Sequence, residues 1–377
     1  MIEIDRRKFL VILGIIFGGL GIHRFRFLNN QKNIPTFSNN SKKLIIIHLV
    51  GGNDGLFTLI PKNNEIINEN RKQLIKNINQ GIHWSNNLVL NQKLRDFFDL
   101  AQLGWLSIIP NVGHPNPTYS HFLSQNVWET GVIPKEQAIR TGWLGRFLEE
   151  NKLSYHNFDE LLSFGNSSLI FKGQKNKGTI WNANPFFIKE TKHIINKKLY
   201  NFGDYEFLQN ELKKTYRLNQ LLQDIKPSIG YPKTKLGNDL ALVSAMIGQN
   251  RPFKIFHLNH TGYDTHEWQI PRLNALYSDL GKSIKTFAYD LNKMGEWDNT
   301  QVLIYSEFGR SISENSNGGT DHGSAGPVFV LGGKKIFKEL SNLKPNYKIF
   351  SHSGFPALQH QVDFRDILST IKKSWLT

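Results

Sequence analysis

Four polar runs in this chain each place acids and imidazoles directly behind an apolar run. GGNDG (51–55) follows KKLIIIHLV, NVGHPNPTYSHF follows WLSIIP, TGYDTH follows KIFHLNH, and SEFGR with GGTDHG follows QVLIY. Together they contribute Asp54, His114, Ser120, His121, Asp264, His266, Glu307, Asp321 and His322. Carboxylate oxygen with imidazole nitrogen, and no sulfur, suits one or two divalent ions: zinc, manganese, magnesium or calcium. The chain has no cysteine, which excludes thiol catalysis, cysteine-ligated zinc and disulfides. Asp264 and His266 are spaced i, i+2, so on an extended segment they share a face. Asp321 and His322 are adjacent, and Gly318, Gly319 and Gly323 let the backbone around them adopt positive φ.

Blander readings stand beside these. A lone acid at a strand end, such as Asp54, is commonly a helix cap or turn former, and Asp321-His322 can be a capped turn. The recurrence at four strand ends argues for a shared site. Arg310 can grip a phosphate, sulfate or carboxylate, or form an ion pair with Glu307 or Glu314. Asn53 and Asn315 can contact a ligand or cap turns.

The elements that must position these residues read as α/β. KKLIIIHLV and WLSIIPNVG are continuous apolar runs, expected of strands buried on both faces. Helical spacing recurs at 94–103, 119–129, 143–150, 239–247, 273–294 and 363–376, and strands are expected at PFKIFHL, QVLIY and PVFVL. Strands alternating with helices predict a doubly wound, mostly parallel central sheet with helices on both faces. In such sheets ligands bind beyond the carboxyl ends of the strands, where the four runs fall. SEFGR…GGTDHG is expected as a loop, and about 151–232 as an irregular insertion.

Arg6-Arg7 precedes the apolar run FLVILGIIFGGLGI. A charged start and a moderate apolar stretch read as an export signal over 1–28, followed by a linker over 29–41 and a single domain over 42–377. A short buried helix is the alternative. The run is shorter than the roughly 20 residues of a comfortable membrane span. No small-x-small cleavage site precedes Arg24, so the segment can remain as a membrane anchor. The net charge of +15 comes from scattered lysines and arginines, not from a basic stripe with interleaved aromatics, so no nucleic-acid partner is expected.

Taken together, GGNDGL, NVGHPNPTYSHFLSQNVWETG, TGYDTH, YSEFGR, GGTDHG and DFRDIL resemble the bacterial family catalogued as domain of unknown function 1501. Its members are often exported by the twin-arginine (Tat) machinery, whose signal Arg-Arg-x-Phe-Leu is similar to. They are placed in the alkaline phosphatase and sulfatase superfamily. The resemblance implies a metal-dependent hydrolase of phosphate or sulfate esters, periplasmic or on the cell surface, with an anionic ester or envelope polysaccharide as ligand. Carried over by position, it implies Asp54 as the first metal ligand and Ser120 or Thr118 as nucleophile, with the nucleophile slot one residue along at His121. Asp264 and His266 become the next ligand pair and His322 the third histidine. Glu307 stands where the superfamily has Asp-His, with Asp321, His114, His121 or His352 left to supply the missing imidazole. These departures support a second expectation, a non-catalytic exported binding or surface-assembly protein that keeps the hydrolase fold.

Overall fold

Lys43–Val50 (β1) is rich in β-branched residues, and its side chains are buried from Lys43 through Leu49, which only a sheet covered on both faces allows. The other strands of that sheet are Leu106–Gly113 (β2), Leu161–Ser163 (β3), Thr179–Ile180 (β4), Ile255–Thr261 (β5), Thr300–Tyr305 (β6), Gly326–Gly332 (β7) and Val362–Asp363 (β8). This is a computed structural model, and it describes residues 41–76, 80–133, 139–151, 161–164, 169–174, 179–180, 225–352 and 355–377. The expected signal segment, most of the linker and most of 151–232 lie outside the described residues, as does the side chain of His352.

The strand order is β8-β2-β7-β6-β1-β5-β3-β4. Neighbours are parallel except where β7 runs antiparallel to both β2 and β6. That reversal has a local cause. A parallel return needs a crossover, usually helical, whereas the chain after β6 folds into an antiparallel ribbon, Arg310–Glu314 with Thr320–His322, and re-enters the sheet from the same end. The run expected as a loop is therefore a short two-stranded ribbon. Two of the sheet's strands, β3 and β4, come from the stretch expected as an irregular insertion.

The helices that frame the site are Arg95–Gln102 (α1), His121–Thr130 (α2), Trp143–Glu150 (α3), Lys235–Gly248 (α4), Gln269–Lys293 (α5) and Phe364–Ile371 (α6). Strand side chains alternate between faces. Leu44 and Ile46 of β1 accordingly join a core with Val127 and Trp128 of α2, Trp143, Leu144 and Phe147 of α3, and Ile367, Leu368 and Ile371 of α6. α5 packs on α1 and α4 through a buried stripe of Leu273, Tyr277, Leu280, Ile284, Phe287 and Leu291, the helical period of an amphipathic element. α4 begins at Lys235, before the expected Asp239, because Thr234 Oγ1 caps it by accepting from Gly237 N. By its contacts the chain divides into two units, and the described residues other than Ile225 belong to Phe37–Asn182 with Lys226–Thr377. Among the described residues no helix is long and apolar enough to cross a membrane.

Candidate metal centre

The loops at the carboxyl ends of β1, β2, β5 and β6 meet because backbone approaches backbone there. A Cβ on Gly51, at φ +125°, would lie 2.2 Å from Asp264 N, so only glycine lets the first loop touch the third. Before α2, Tyr119 stands in the left-handed region (φ 53°) and Ser120 accepts from Leu123 N as the helix cap. His121, the first residue of α2, is therefore carried into the space between the loops. His322 ends the ribbon paired with Arg310, and a Cβ on Gly319 would lie 2.3 Å from the carbonyl carbon of His266.

At the meeting point His121, Asp264 and His322 each offer a ligand atom within 4.8 Å of the others. His121 Nε2 lies 3.1 Å from His322 Nε2 and 3.4 Å from Asp264 Oδ2, and His322 Nε2 lies 3.3 Å from Asp264 Oδ1. His266 Nε2 lies against the same group, 2.9 Å from His322 Nε2 and 3.1 Å from Asp264 Oδ1. A tetrahedral zinc with bonds of about 2.0–2.1 Å has ligand-to-ligand edges of about 3.3 Å, so these separations fit an ion.

The ring orientations fit as well. His322 Nδ1 lies 2.7 Å from the Tyr119 carbonyl, an acceptor only, so Nδ1 carries the proton and Nε2 presents a lone pair to the cluster. His121 Nδ1 faces Glu307 Oε1 at 2.8 Å and His266 Nδ1 faces Asp321 Oδ1 at 3.1 Å, so both donate outward in the same way. A metal-ligating histidine typically has its second nitrogen held by such a partner. Three inward lone pairs in van der Waals contact repel one another unless a cation lies among them.

The electrostatics differ from residue to residue. Burial pushes the His322 imidazole below its ordinary value, which keeps it neutral near pH 7. The hydrogen bond to Glu307 raises His121. Burial alone would raise the Asp264 carboxyl, but the hydrogen bond and charge of Arg310, 2.8 Å away, outweigh it and hold it below the usual carboxylate range. For Glu307 burial also acts upward, and the charge of His48 with the hydrogen bonds of His121 and His48 overcomes it, leaving the carboxyl far below its ordinary value.

Of the residues singled out in the sequence, His121, Asp264, His266 and His322 are brought together, with Asp321 behind His266. Asp54 is not. It is 1% exposed, caps the Gly55–Thr58 turn through Leu56 N and Phe57 N, and gives its oxygens to Arg71 Nη1 (2.9 and 2.7 Å) and Gln269 Nε2 (2.6 Å). Glu307 is buried, with Oε2 on His48 Nε2 at 2.9 Å and Oε1 shared by Gly51 N and His121 Nδ1, so it stands behind a ligand and not among them. Ser120 Oγ is engaged as a helix cap while its neighbour His121 faces the cluster, and Thr118 Oγ1 pairs with Ser124.

Arg310, Asn53 and Asn315, expected to contact a ligand, and His114 each have partners within the protein. Arg310 is fully buried and donates to Asp264, Gly51 O, Thr320 Oγ1 and Thr320 O. Asn53 bonds Thr58 and Tyr277. Asn315 donates to His266 O and accepts from Asn317 N and Gly319 N, which shapes the turn that supports His266. His114 lies 2.9 Å from Pro115 O and packs edge-on against Phe364. The sequence reading missed His48, Arg71 and Gln269. A lone imidazole inside the apolar run KKLIIIHLV was the available signal for His48. Arg71 directly follows the helical turn Glu65–Asn70 and Gln269 opens α5, and neither carries a local mark.

The family described as "Protein of unknown function (DUF1501)" matches residues 107–335. No curated protein matches the sequence. Among solved structures, the chain is similar to the lipoteichoic acid synthase LtaP of Listeria monocytogenes, at 10% identity over 79% of this chain and 69% of that one, with a TM-score of 0.33. It is similar to the alkaline phosphatase of the Antarctic bacterium TAB5 at 10% identity, over 78% of this chain and 91% of that one, TM-score 0.36. It is also similar to the C-terminal periplasmic domain of EcEptC from Escherichia coli, solved as a complex with Zn, at 8% identity over 81% and 76% of the two chains, TM-score 0.33.

Proposed function

The chain belongs to the DUF1501 family, and from its site we propose that it is an exported hydrolase of phosphate or sulfate esters that works with a divalent metal of the zinc type. The observation that carries this reading is the convergence of three outward-anchored imidazoles on Asp264. Borderline metals favour imidazole nitrogen over the all-oxygen sets of calcium and magnesium. A divalent ion held there would supply Lewis-acid polarisation of an ester oxygen and would acidify a water molecule.

The protein's own residues tune that role. His121, His322 and His266 offer ring nitrogens and not carboxylates, and the one carboxylate, Asp264, shares its charge with Arg310. The ligand set therefore cancels little of an ion's double charge, and the site attracts anions. A phosphate or sulfate ester is the class of substrate that answers such a field. Arg6-Arg7 and the apolar run behind it support export through the Tat machinery, with membrane anchoring if the segment is retained.

A second reading has its own support. Ser120 Oγ caps α2 and His121 takes the place facing the cluster, so Ser120 is not placed as a nucleophile aimed at the cluster would be. Attack by water without a covalent intermediate, or a binding role without turnover, follows from that geometry. Metal content of the purified protein, with hydrolysis of aryl phosphate and aryl sulfate esters before and after chelation, separates the readings. Bound zinc with chelator-sensitive turnover is expected. Bound zinc without turnover favours the binding protein, and no bound divalent ion overturns the metal centre.

A further inference from the structure

Behind the cluster, the carboxylate that anchors His121 is itself held by a buried relay. His48, in the middle of β1, is 3% exposed and stacks on Tyr305 of the neighbouring strand at 4.9 Å, nearly parallel. Tyr305 in turn stacks on Trp128 of α2 at 4.2 Å. The ring of His48 thus ends a stack that runs through Tyr305 to α2, with Nε2 on Glu307 Oε2 at 2.9 Å. Glu307 is 2% exposed and has both oxygens engaged: Oε2 also accepts from Ser306 Oγ at 3.2 Å, and Oε1 accepts from Gly51 N at 2.9 Å and from His121 Nδ1 at 2.8 Å.

We propose that Glu307, locked by His48, is the positioning residue that fixes the ring of His121 and presents its Nε2 to the metal. The inference rests on the metal-centre reading and deepens it. Its physical basis is charge and geometry together. A carboxylate on the far nitrogen fixes the tautomer of a ligand histidine and strengthens it as a donor. A carboxylate this deeply buried holds a direction only if each oxygen has a donor. His48 and Gly51 N supply those donors from β1 and its loop, while Glu307 itself follows β6. The aim of His121 is therefore set by the β1–β6 pair and not by α2 alone. Gln125, one turn further along α2, reaches Glu307 Oε1 at only 3.4 Å and is a weaker contributor.

The test uses the full chain, wild type and Glu307→Gln, with two readouts. The first is zinc affinity by competition with a chromophoric chelator. The second, on metal-free protein, is the His121 Nδ1 proton in spectra of ¹⁵N-histidine-labelled protein, assigned by its absence in His121→Asn. Glu307→Gln keeps the shape and removes the charge, so zinc binding is expected to weaken about 10–100-fold. The His121 proton, far downfield in the wild type, is expected to move upfield. Zinc affinity within twofold of wild type, with an unmoved His121 proton, overturns the proposal. If Glu307→Gln does not fold, His48→Gln decides, because it leaves Glu307 on His121 and Gly51. There a clear loss of zinc affinity supports the relay and wild-type affinity overturns it. Should the wild type bind no zinc, the metal reading fails, and the His121 proton still decides the positioning claim.

Discussion

Asp54→Ala separates a structural acid from a metal ligand. Asp54 and Arg71 are essentially inaccessible, with side chains 1% and 0% exposed, and the Arg71 guanidinium donates onward to Ile312 O and Ser311 O. Removing one partner of a buried ion pair leaves the other charge unpaired, at a cost of about 3–5 kcal/mol. The loss of the cap on Leu56 N and Phe57 N, typically about 1 kcal/mol, falls partly within that figure because the same oxygen serves both. Against a total stability of about 5–15 kcal/mol this is a severe loss. Urea unfolding of metal-free protein should show a midpoint lowered accordingly at unchanged slope. Zinc affinity measured on the fraction that remains folded should match the wild type. Replacing both partners, as Asp54→Leu with Arg71→Met, should cost less than either single change, since no charge is stranded. A loss below about 1 kcal/mol together with abolished zinc binding would show that Asp54 is a ligand and refute the reasoning.

Three further outcomes follow from the same geometry. His322→Ala removes a donor from the centre of the cluster and should weaken zinc binding by more than about 100-fold, beyond the range typical of residues one step removed, as titration against a chelator can measure. Gly319→Ala places a Cβ 2.3 Å from the carbonyl carbon of His266, so that backbone must shift; zinc affinity should fall although the substituted residue carries no ligand atom. The Glu307 carboxyl sits far below its ordinary value near 4.5 in the folded state, so its contribution to stability is present above pH 4.5 and is lost progressively as the pH falls below it. Urea midpoints of metal-free protein from pH 7 to pH 3 should fall less steeply for Glu307→Gln than for the wild type.

Strands β1, β2, β5, β6 and β7 were legible in the sequence as largely apolar runs, whereas the two- and three-residue strands β3, β4 and β8 are too short to carry a pattern. Ile45, Ile46 and Ile47 are fully buried, as expected of a strand covered on both faces. The ends of the helices were less legible, since Thr234, Asp363 and Ser120 set them by capping contacts that hydrophobic period does not register. The ribbon after β6 went unread because Ile312 is the one apolar residue in RSISE, where its own face carries Arg310 and Glu314 and Arg310 turns a charged group into the interior. At the site, strand-end position found His121, Asp264, His266 and His322. It could not rank them against Asp54 and Glu307, because an acid that binds metal and an acid that holds a cap or a histidine have the same local sequence. What separates them is the partner: Arg71 and Gln269 for Asp54, His48 for Glu307, each brought in from far along the chain.

Arg310 shows why that distinction matters for function. As a free guanidinium it would clamp an anion and help to select a phosphate or sulfate. Here Nη1 donates to Asp264 and Gly51 O, Nε to Thr320 Oγ1 and Nη2 to Thr320 O, so its hydrogen bonds run to the protein's own groups. Its effect on a substrate is indirect, through the charge it shares with Asp264. Under the proposed hydrolase reading, attraction of an anion would fall to an ion among the histidines, and preference among anionic esters to the rim of the site. Two large apolar side chains stand there in solvent: Phe122, next to His121 and 73% exposed, and Trp268, two residues beyond His266 and 68% exposed. Trp268 is held in the left-handed region (φ 52°), with its N–H on Asn317 O, in the same loop whose Asn315 anchors His266. A bulky residue kept in that conformation is strained, and such strain tends to gather at functional sites. His121, Asp264 and His266 thus share the segments 119–122 and 264–268 with these two exposed side chains, while His322 comes from the ribbon, so a change at Phe122 or Trp268 reaches the cluster through no more than one or two peptide units.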